Sequence, residues 1–364
     1  MYSRARLARK YLHYYLTASN GKGHGIHSPF VYAFVKNVLN DDGVYPAYDA
    51  VEKMRARLSA DRRMLEIEDW GAGSVLDGEA TVEDETVREE RTVHDERAVR
   101  EDKTVRGLPG VREDELIRGV GGIREDGWVA KGETRGDVGR AVAEVSDRDE
   151  EGIAAGAVNA KKEKNEKNEG KAAVQARTRF RSVSQLAVHA AKSRKLGQLL
   201  FRIAHYYQPR TILELGTCLG ISTAYLSYGA PKAKLLTIEG APAIADEAEK
   251  NFRDLGLHNI EVVTGNFEDW LPLVLDRLGG IELAFIDGNH RKEPTLRYFH
   301  LLMGRVVLPA VLIFDDIHWS AGMEEAWETI RRDPRVLLTV DLFFVGLVFL
   351  REEFKRKQDF VIRF

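Results

Sequence analysis

The 364-residue chain is long enough for about two domains of roughly 150 residues each, and its 54 Lys+Arg nearly balance 57 Asp+Glu, for a formal charge of −3. The balance hides a split, because residues 77–174 carry a net charge of −8 and the other 266 residues +5. A single cysteine, Cys218, excludes an intrachain disulfide and a cysteine-built zinc site and fits a reducing, cytoplasmic setting; no apolar run reaches the ~18 residues of a transmembrane helix.

Residues 3–18 set Leu7, Tyr11, Tyr14, Tyr15 and Ala18 at helical spacing and end at Asn20-Gly21. Ser28 as cap and Pro29 at the first helical position open a second helix that runs to about Leu39. A third, near Tyr48–Asp61, has Val51, Met54 and Leu58 on one side. Residues 1–40 hold six Lys/Arg and no acid, yet their tyrosines and the lack of a Ser-rich tract speak for folded structure rather than a targeting segment. Residues 1–75 therefore read as a small helical module.

The segment Asp69-Trp70-Gly71-Ala72-Gly73-Ser74 has no acidic second strand behind it, which makes it a turn or a substrate-side loop. Beyond it the composition changes. No Phe or Tyr occurs between Tyr48 and Phe180, Thr-Val or Ala-Val pairs recur at 81, 86, 92, 98 and 104 among acids and arginines, and Lys161–Lys171 reads KKEKNEKNEGK. Sparse apolar groups amid dense charge cannot offset the entropy of ordering. A disordered insertion over 76–176, hanging outside the core, is predicted, with a charged helix as the alternative.

Residues 177–364 alternate strand and helix. A helix is predicted over 184–207, stopped by Pro209, and strands over Thr211–Leu215, Lys234–Glu239, Glu261–Thr264, Leu283–Asp287, Val311–Asp315 and Leu337–Leu342. The last strands read as a hairpin that adds an antiparallel edge. The fold class is α/β, a Rossmann-like, doubly wound, mostly parallel sheet.

Residues 212–222 (ILELGTCLGIS) form a buried strand that runs through a glycine turn into a helix, where bare backbone and free helix N–H groups can approach a ligand. Glu239 ends the next strand 23 residues after Gly216, close to the spacing at which a carboxylate accepts ribose hydroxyls. Together they predict nucleoside binding. Cys218 stands where a dinucleotide fingerprint has its middle glycine, which counts against an NAD-dependent oxidoreductase, the first alternative. Strand ends at Asn266-Phe267, Asp287-Gly288-Asn289-His290 and Asp315-Asp316-Ile317-His318-Trp319 bring further polar groups to the same rim.

ELGTCLGIS, TIEG, GNF, FIDGNH and IFDDIHW, in this order and spacing, resemble the class I S-adenosylmethionine-dependent methyltransferases. The first motif looks closest to the small-molecule, catechol-type O-methyltransferase branch, and the resemblance covers about residues 184–350. It implies S-adenosylmethionine as cofactor, with Glu214, Gly216, Thr217, Gly220 and Ser222 around its methionine part. Glu239 and Gly240 fall at the ribose, Asn266 and Phe267 on the adenine side, and Asp287 near the sulfonium. It also matches Asp287, Asp315 and Asp316 to positions where catechol-type enzymes hold a divalent cation such as Mg²⁺, with Asp316 where Asn is usual.

A metal there would lower the pKa of an acceptor hydroxyl; without one, His290 or His318 is the general base, so Asp287, His290 and His318 are the catalytic candidates. The expected reaction is methyl transfer to an oxygen of a small-molecule acceptor. An RNA methyltransferase is the second alternative, given the basic residues 1–40, although the insertion's charge would repel phosphates. A homodimer stays open, and neither a membrane nor a nucleic acid is expected as partner.

Overall fold

Three helices begin the chain: α1 (Arg4–Thr17), α2 (Pro29–Phe34), which runs on into a π-helical turn Val35–Leu39, and α3 (Pro46–Ala60). The Ser3 hydroxyl caps α1 by accepting from the Arg6 N–H, and prolines start α2 and α3, where a missing N–H costs nothing. Ser28 stands at the cap of α2 through its backbone alone, its hydroxyl making no capping bond. The computed structural model describes residues 1–69 and 177–364, so the insertion expected over 76–176 lies outside the described residues.

At its borders runs an antiparallel ribbon that the sequence did not announce. β1 (Met64–Asp69) pairs with β2 (Arg177–Ser182) in register from Met64↔Ser182 to Asp69↔Arg177. The chain thus leaves the fold and returns to it at paired positions. Replacing residues 70–176 by an Asn-Gly hairpin turn is expected to leave the melting temperature within about 3 °C, since a two-residue turn closes such a ribbon. A calorimetric scan showing collapse of the transition would refute this.

The helix expected over 184–207 is two helices, α4 (Val183–His189) and α5 (Arg194–Tyr207). Each has its own serine cap. Ser182 forms a reciprocal capping box with Gln185, and Ser193 accepts from the Leu196 N–H. A capping serine inside a helical pattern offers the backbone a competing bond, and the chain breaks there, at 190–193.

The rest alternates β3 (Thr211–Leu215), α6 (Ile221–Gly229), β4 (Lys234–Glu239), α7 (Pro242–Asp254), β5 (Ile260–Thr264), α8 (Phe267–Leu278), β6 (Ile281–Ile286), α9 (Lys292–Met303), β7 (Val306–Asp315), α10 (Ala321–Arg332), β8 (Leu338–Asp341), β9 (Val345–Leu350) and β10 (Gln358–Val361). The sheet order is β10-β8-β9-β7-β6-β3-β4-β5, parallel except for β9. The expected Rossmann-like sheet and terminal hairpin are both present. However, β9 lies inside the sheet between β7 and β8, and the overlooked β10 forms the edge. All six residues of β9 are buried, and so apolar a strand needs a partner on each side.

The first helices have no core of their own; instead of a separate module over 1–75, they complete the cores of the α/β body. Phe34, Val35 and Val38 pack with Leu199, Leu200 and Ile203 of α5 on one face of the sheet. Tyr48, Val51 and Leu58 of α3 pack with Leu186 of α4 and Tyr225 of α6. Tyr11 and Tyr14 of α1 pack on Phe343 in the β8–β9 turn. Each fully buried side chain of this kind contributes about 1.5–3 kcal/mol. No helix among the described residues is long and apolar enough to cross a membrane.

Candidate active site

In the sheet order, β3 has β4 on one side and β6 on the other, so the connections leave in opposite directions from the β3–β6 pair. A crevice at the carboxyl end of such a pair is where open α/β sheets bind ligands. Gly216, just past β3, takes φ +100°, and a Cβ there would come within 2.0 Å of the Asp287 carbonyl oxygen at the end of β6. Only a glycine lets the two strand ends close so tightly. Cys218, Asn289 and Asp316, on the three turns around this crevice, hold positive φ without being glycine, a strain that concentrates at functional sites. Cys218 adopts φ +47°, so it takes up the conformation a middle glycine would have. Burial and the Glu239 charge push its thiol up to about 12, which keeps it protonated at neutral pH.

Gly216, Thr217 and Ser222 line the crevice together with Asp287 and Lys192. The Thr217 hydroxyl is anchored to that of Thr237 at 2.6 Å. Gly220 starts α6 at φ +80°, where a Cβ would strike the Phe252 ring. At the end of β4, the Glu239 carboxylate accepts from the backbone N–H of Cys218 (2.8 Å) and of Ala241 (3.0 Å), one per oxygen. Burial raises its pKa and these N–H groups oppose the rise. Each oxygen keeps a lone pair, the acceptor set that two donating ribose hydroxyls require. Gly240 follows with open space around its Cα.

Glu214 is fully buried beneath the turn. One carboxylate oxygen accepts from the hydroxyls of Thr223 and Thr237 while Oε1 has no partner, and burial pushes the group up to about 7. Asn266 caps α8 by accepting from the Glu268 N–H at 2.9 Å. Phe267 is buried against Tyr298 and beneath Gly288. The aromatic group left over β5's end is Trp270, 37% exposed, whose indole lies against Gly265. Sequence reasoning passed over it, although its place one turn into α8 was readable.

The strand-end acids do converge, around a residue no motif suggested. Lys192, in the α4–α5 break, bonds Asp287 Oδ1 at 2.8 Å and Asp315 Oδ2. Burial works against its charge, but Asp287, Asp315 and Asp316 together raise its pKa well above the ordinary value. Burial raises Asp287, with Lys192 opposing, and burial with the Asp315 charge pushes Asp316 up to about 7. His290 Nε2 stands 3.7 Å from Asp287 and 3.9 Å from Asp316. Burial pushes this imidazole down to about 4, Asp315 opposing and Lys192 adding, so it is neutral at neutral pH.

The donors that lie within 4.8 Å of one another are Asp287, His290 and Asp315, rather than the expected set with Asp316. A divalent ion would have to share the Asp287 and Asp315 oxygens at about 2.0–2.6 Å. The Lys192 ammonium already bridges those two groups. As arranged, the residues do not fit a metal.

His318 stands apart from this cluster. Its Nδ1 pairs with Glu324 at 3.0 Å, its Nε2 with Asp341 at 2.9 Å, and its ring stacks on Phe343. Glu324 also takes the Tyr2 hydroxyl and the Lys10 ammonium of α1. Burial works against the imidazolium, but the two carboxylates outweigh it and raise His318 to about 9. With both ring nitrogens engaged, it holds α1 to the loop after β7 and has no lone pair to offer as a base.

The strand order, the glycine turn and the acid ending β4 build a Rossmann-like crevice of the kind in which open α/β sheets bind ligands. In comparison with known proteins, residues 213–317 match the family model of a methyltransferase domain. The chain is 33% identical over 135 residues to a catechol O-methyltransferase of Mycobacterium tuberculosis, covering 36% of this chain and 60% of that protein. It is 37% identical over 123 residues to the catechol O-methyltransferase of Niastella koreensis, covering 33% and 54%. Among solved structures, an O-methyltransferase from Bacillus cereus in complex with SAH is similar at 25% identity and a TM-score of 0.39, covering 44% of this chain and 82% of that one. The chain thus spans less than two thirds of the length of these curated relatives.

Proposed function

We propose that the chain transfers a methyl group from S-adenosylmethionine to an oxygen of a small molecule. The observation that carries this reading is the crevice between β3 and β6, bare at Gly216 and flanked by Glu239 held on two backbone N–H groups. The residues fit the cofactor: Glu239 suits the ribose hydroxyls, and Gly216, Thr217 and Ser222 the methionine part. When bound, S-adenosylmethionine supplies a methyl group on a positively charged sulfur, which an acceptor oxygen takes by in-line displacement.

The chain's own groups do the rest. Asp287 and its neighbours place negative charge beside a cationic sulfur. His290, neutral, offers Nε2 to accept the hydroxyl proton, and the nearby carboxylate charge offsets only part of the burial that disfavours the imidazolium. Holding the two partners aligned in the crevice supplies most of the acceleration. The RNA reading loses its support in α1, where Lys10 is spent on Glu324 and Arg6 lies over the Tyr2 ring. A single cysteine, Cys218, with no disulfide partner supports a reducing, cytoplasmic setting.

Titration calorimetry tests the cofactor. S-adenosylhomocysteine should bind, NAD should not, and Glu239→Ala should weaken the complex by about 1.5–3 kcal/mol, the loss of charged hydrogen bonds. Tight NAD binding without a response to S-adenosylhomocysteine would overturn the reading.

A further inference from the structure

Three carboxylates at the ends of β6 and β7 lie side by side in a poorly hydrated place, with Asp315 only 2% exposed. Such a group needs a cation to hold it together. A lysine brought in from another element, across more than ninety residues of sequence, stands there: Lys192 bonds Asp287 and Asp315 and lines the same crevice as Gly216 and Ser222. The break between α4 and α5 is what admits it, because a continuous helix over 184–207 would leave position 192 on a helix surface.

We propose that Lys192 is the resident cation of this site, held between Asp287 and Asp315 where a divalent ion would otherwise sit, so that the chain works without a metal. Two of the three ammonium N–H groups go to the two carboxylates, and the third remains for an acceptor oxygen. This last point rests on the methyltransferase reading. A metal offers two adjacent coordination positions and can chelate a vicinal diol, whereas one remaining N–H grips one oxygen. The acceptor class that follows is a hydroxyl compound recognised through a single oxygen, with no need for a neighbouring hydroxyl.

The test is thermal melting of the full chain with Mg²⁺, Mn²⁺ or Ca²⁺ and with chelator. The wild type should melt within about 1 °C of the same temperature throughout, since an ion that does not bind the native state cannot stabilise it. Lys192→Met should melt lower and recover with a divalent ion, because the uncovered carboxylates then form a cation site. If Lys192→Met does not fold, the double variant Lys192→Met/Asp315→Asn, which removes a carboxylate along with the ammonium, should fold again. A wild type that rises with a divalent ion overturns the proposal. So does a folded Lys192→Met indifferent to all three ions, or a double variant that stays unfolded. A wild type that ignores S-adenosylhomocysteine sinks the methyltransferase reading instead, and leaves the cation result standing.

Discussion

Gly216→Ala should abolish measurable S-adenosylhomocysteine binding and cost the fold on the order of 3 kcal/mol, from overpacking and backbone strain together. The new Cβ would sit 2.0 Å from the Asp287 carbonyl oxygen, which belongs to backbone and cannot swing aside, and φ +100° is closed to an L side chain. Relief requires the ends of β3 and β6 to part. That separation would shift the Asp287 end of β6 relative to Lys192 and deform the crevice that both line. Gly240→Ala is the matched control for stability alone, because its Cβ would meet nothing within 4 Å and should change stability by less than about 0.5 kcal/mol. Denaturant melts and calorimetry decide between them. A Gly216→Ala protein that binds S-adenosylhomocysteine as the wild type does would show that the strand ends are slacker than they stand here.

His318→Ala should destabilise the protein by about 2–3 kcal/mol, somewhat below a fully buried pair, since its partners keep partial contact with water. It leaves Glu324 and Asp341 without the cation between them, and should free α1, so that trypsin cuts at Arg9 and Lys10 much sooner. The pH dependence has a definite sign. His318 titrates at about 9 in the folded chain, above its ordinary value of about 6.5, so its contribution is complete below pH 6.5 and is lost as the pH rises to about 9. Glu324, held at about 2 by His318, Lys10 and Tyr2 against the effect of burial, contributes fully above about 4.5 and loses this as the pH falls to about 2. The stability gap between wild type and His318→Ala should therefore be widest between those limits and shrink above neutrality. A gap that grows from pH 7 to 9 would contradict the charged clamp.

How far the sequence led can be judged residue by residue. The turn at Gly216–Gly220, Glu239 and the strand-end acids were legible because each is local: a glycine, a carboxylate or a pair of acids at the end of an apolar run. His318 was legible as a polar residue and misjudged as a base, because its two partners lie on α10 and β8 and nothing in IHW names them. Phe267 was an aromatic beside a glycine, and tertiary packing turned it inward while Trp270 stayed out. Lys192 was illegible as a site residue for a different reason. Its neighbours made good helix, and only Ser193, a capping residue within the pattern, signalled the break that points it at Asp287. The ribbon β1–β2 and the edge strand β10 escaped because their residues are charged and short of apolar alternation, so pairing is decided by the neighbouring strand.

That ribbon makes the fold a host. A passenger joined at Asp69 and Arg177 needs only to have its own two ends about one strand spacing apart, roughly 5 Å. Its length hardly matters, because doubling a flexible loop costs only about 0.6 kcal/mol in closure entropy. A fluorescent reporter or an affinity module could be seated there in place of the native segment, joined to the fold through six paired residues on each side.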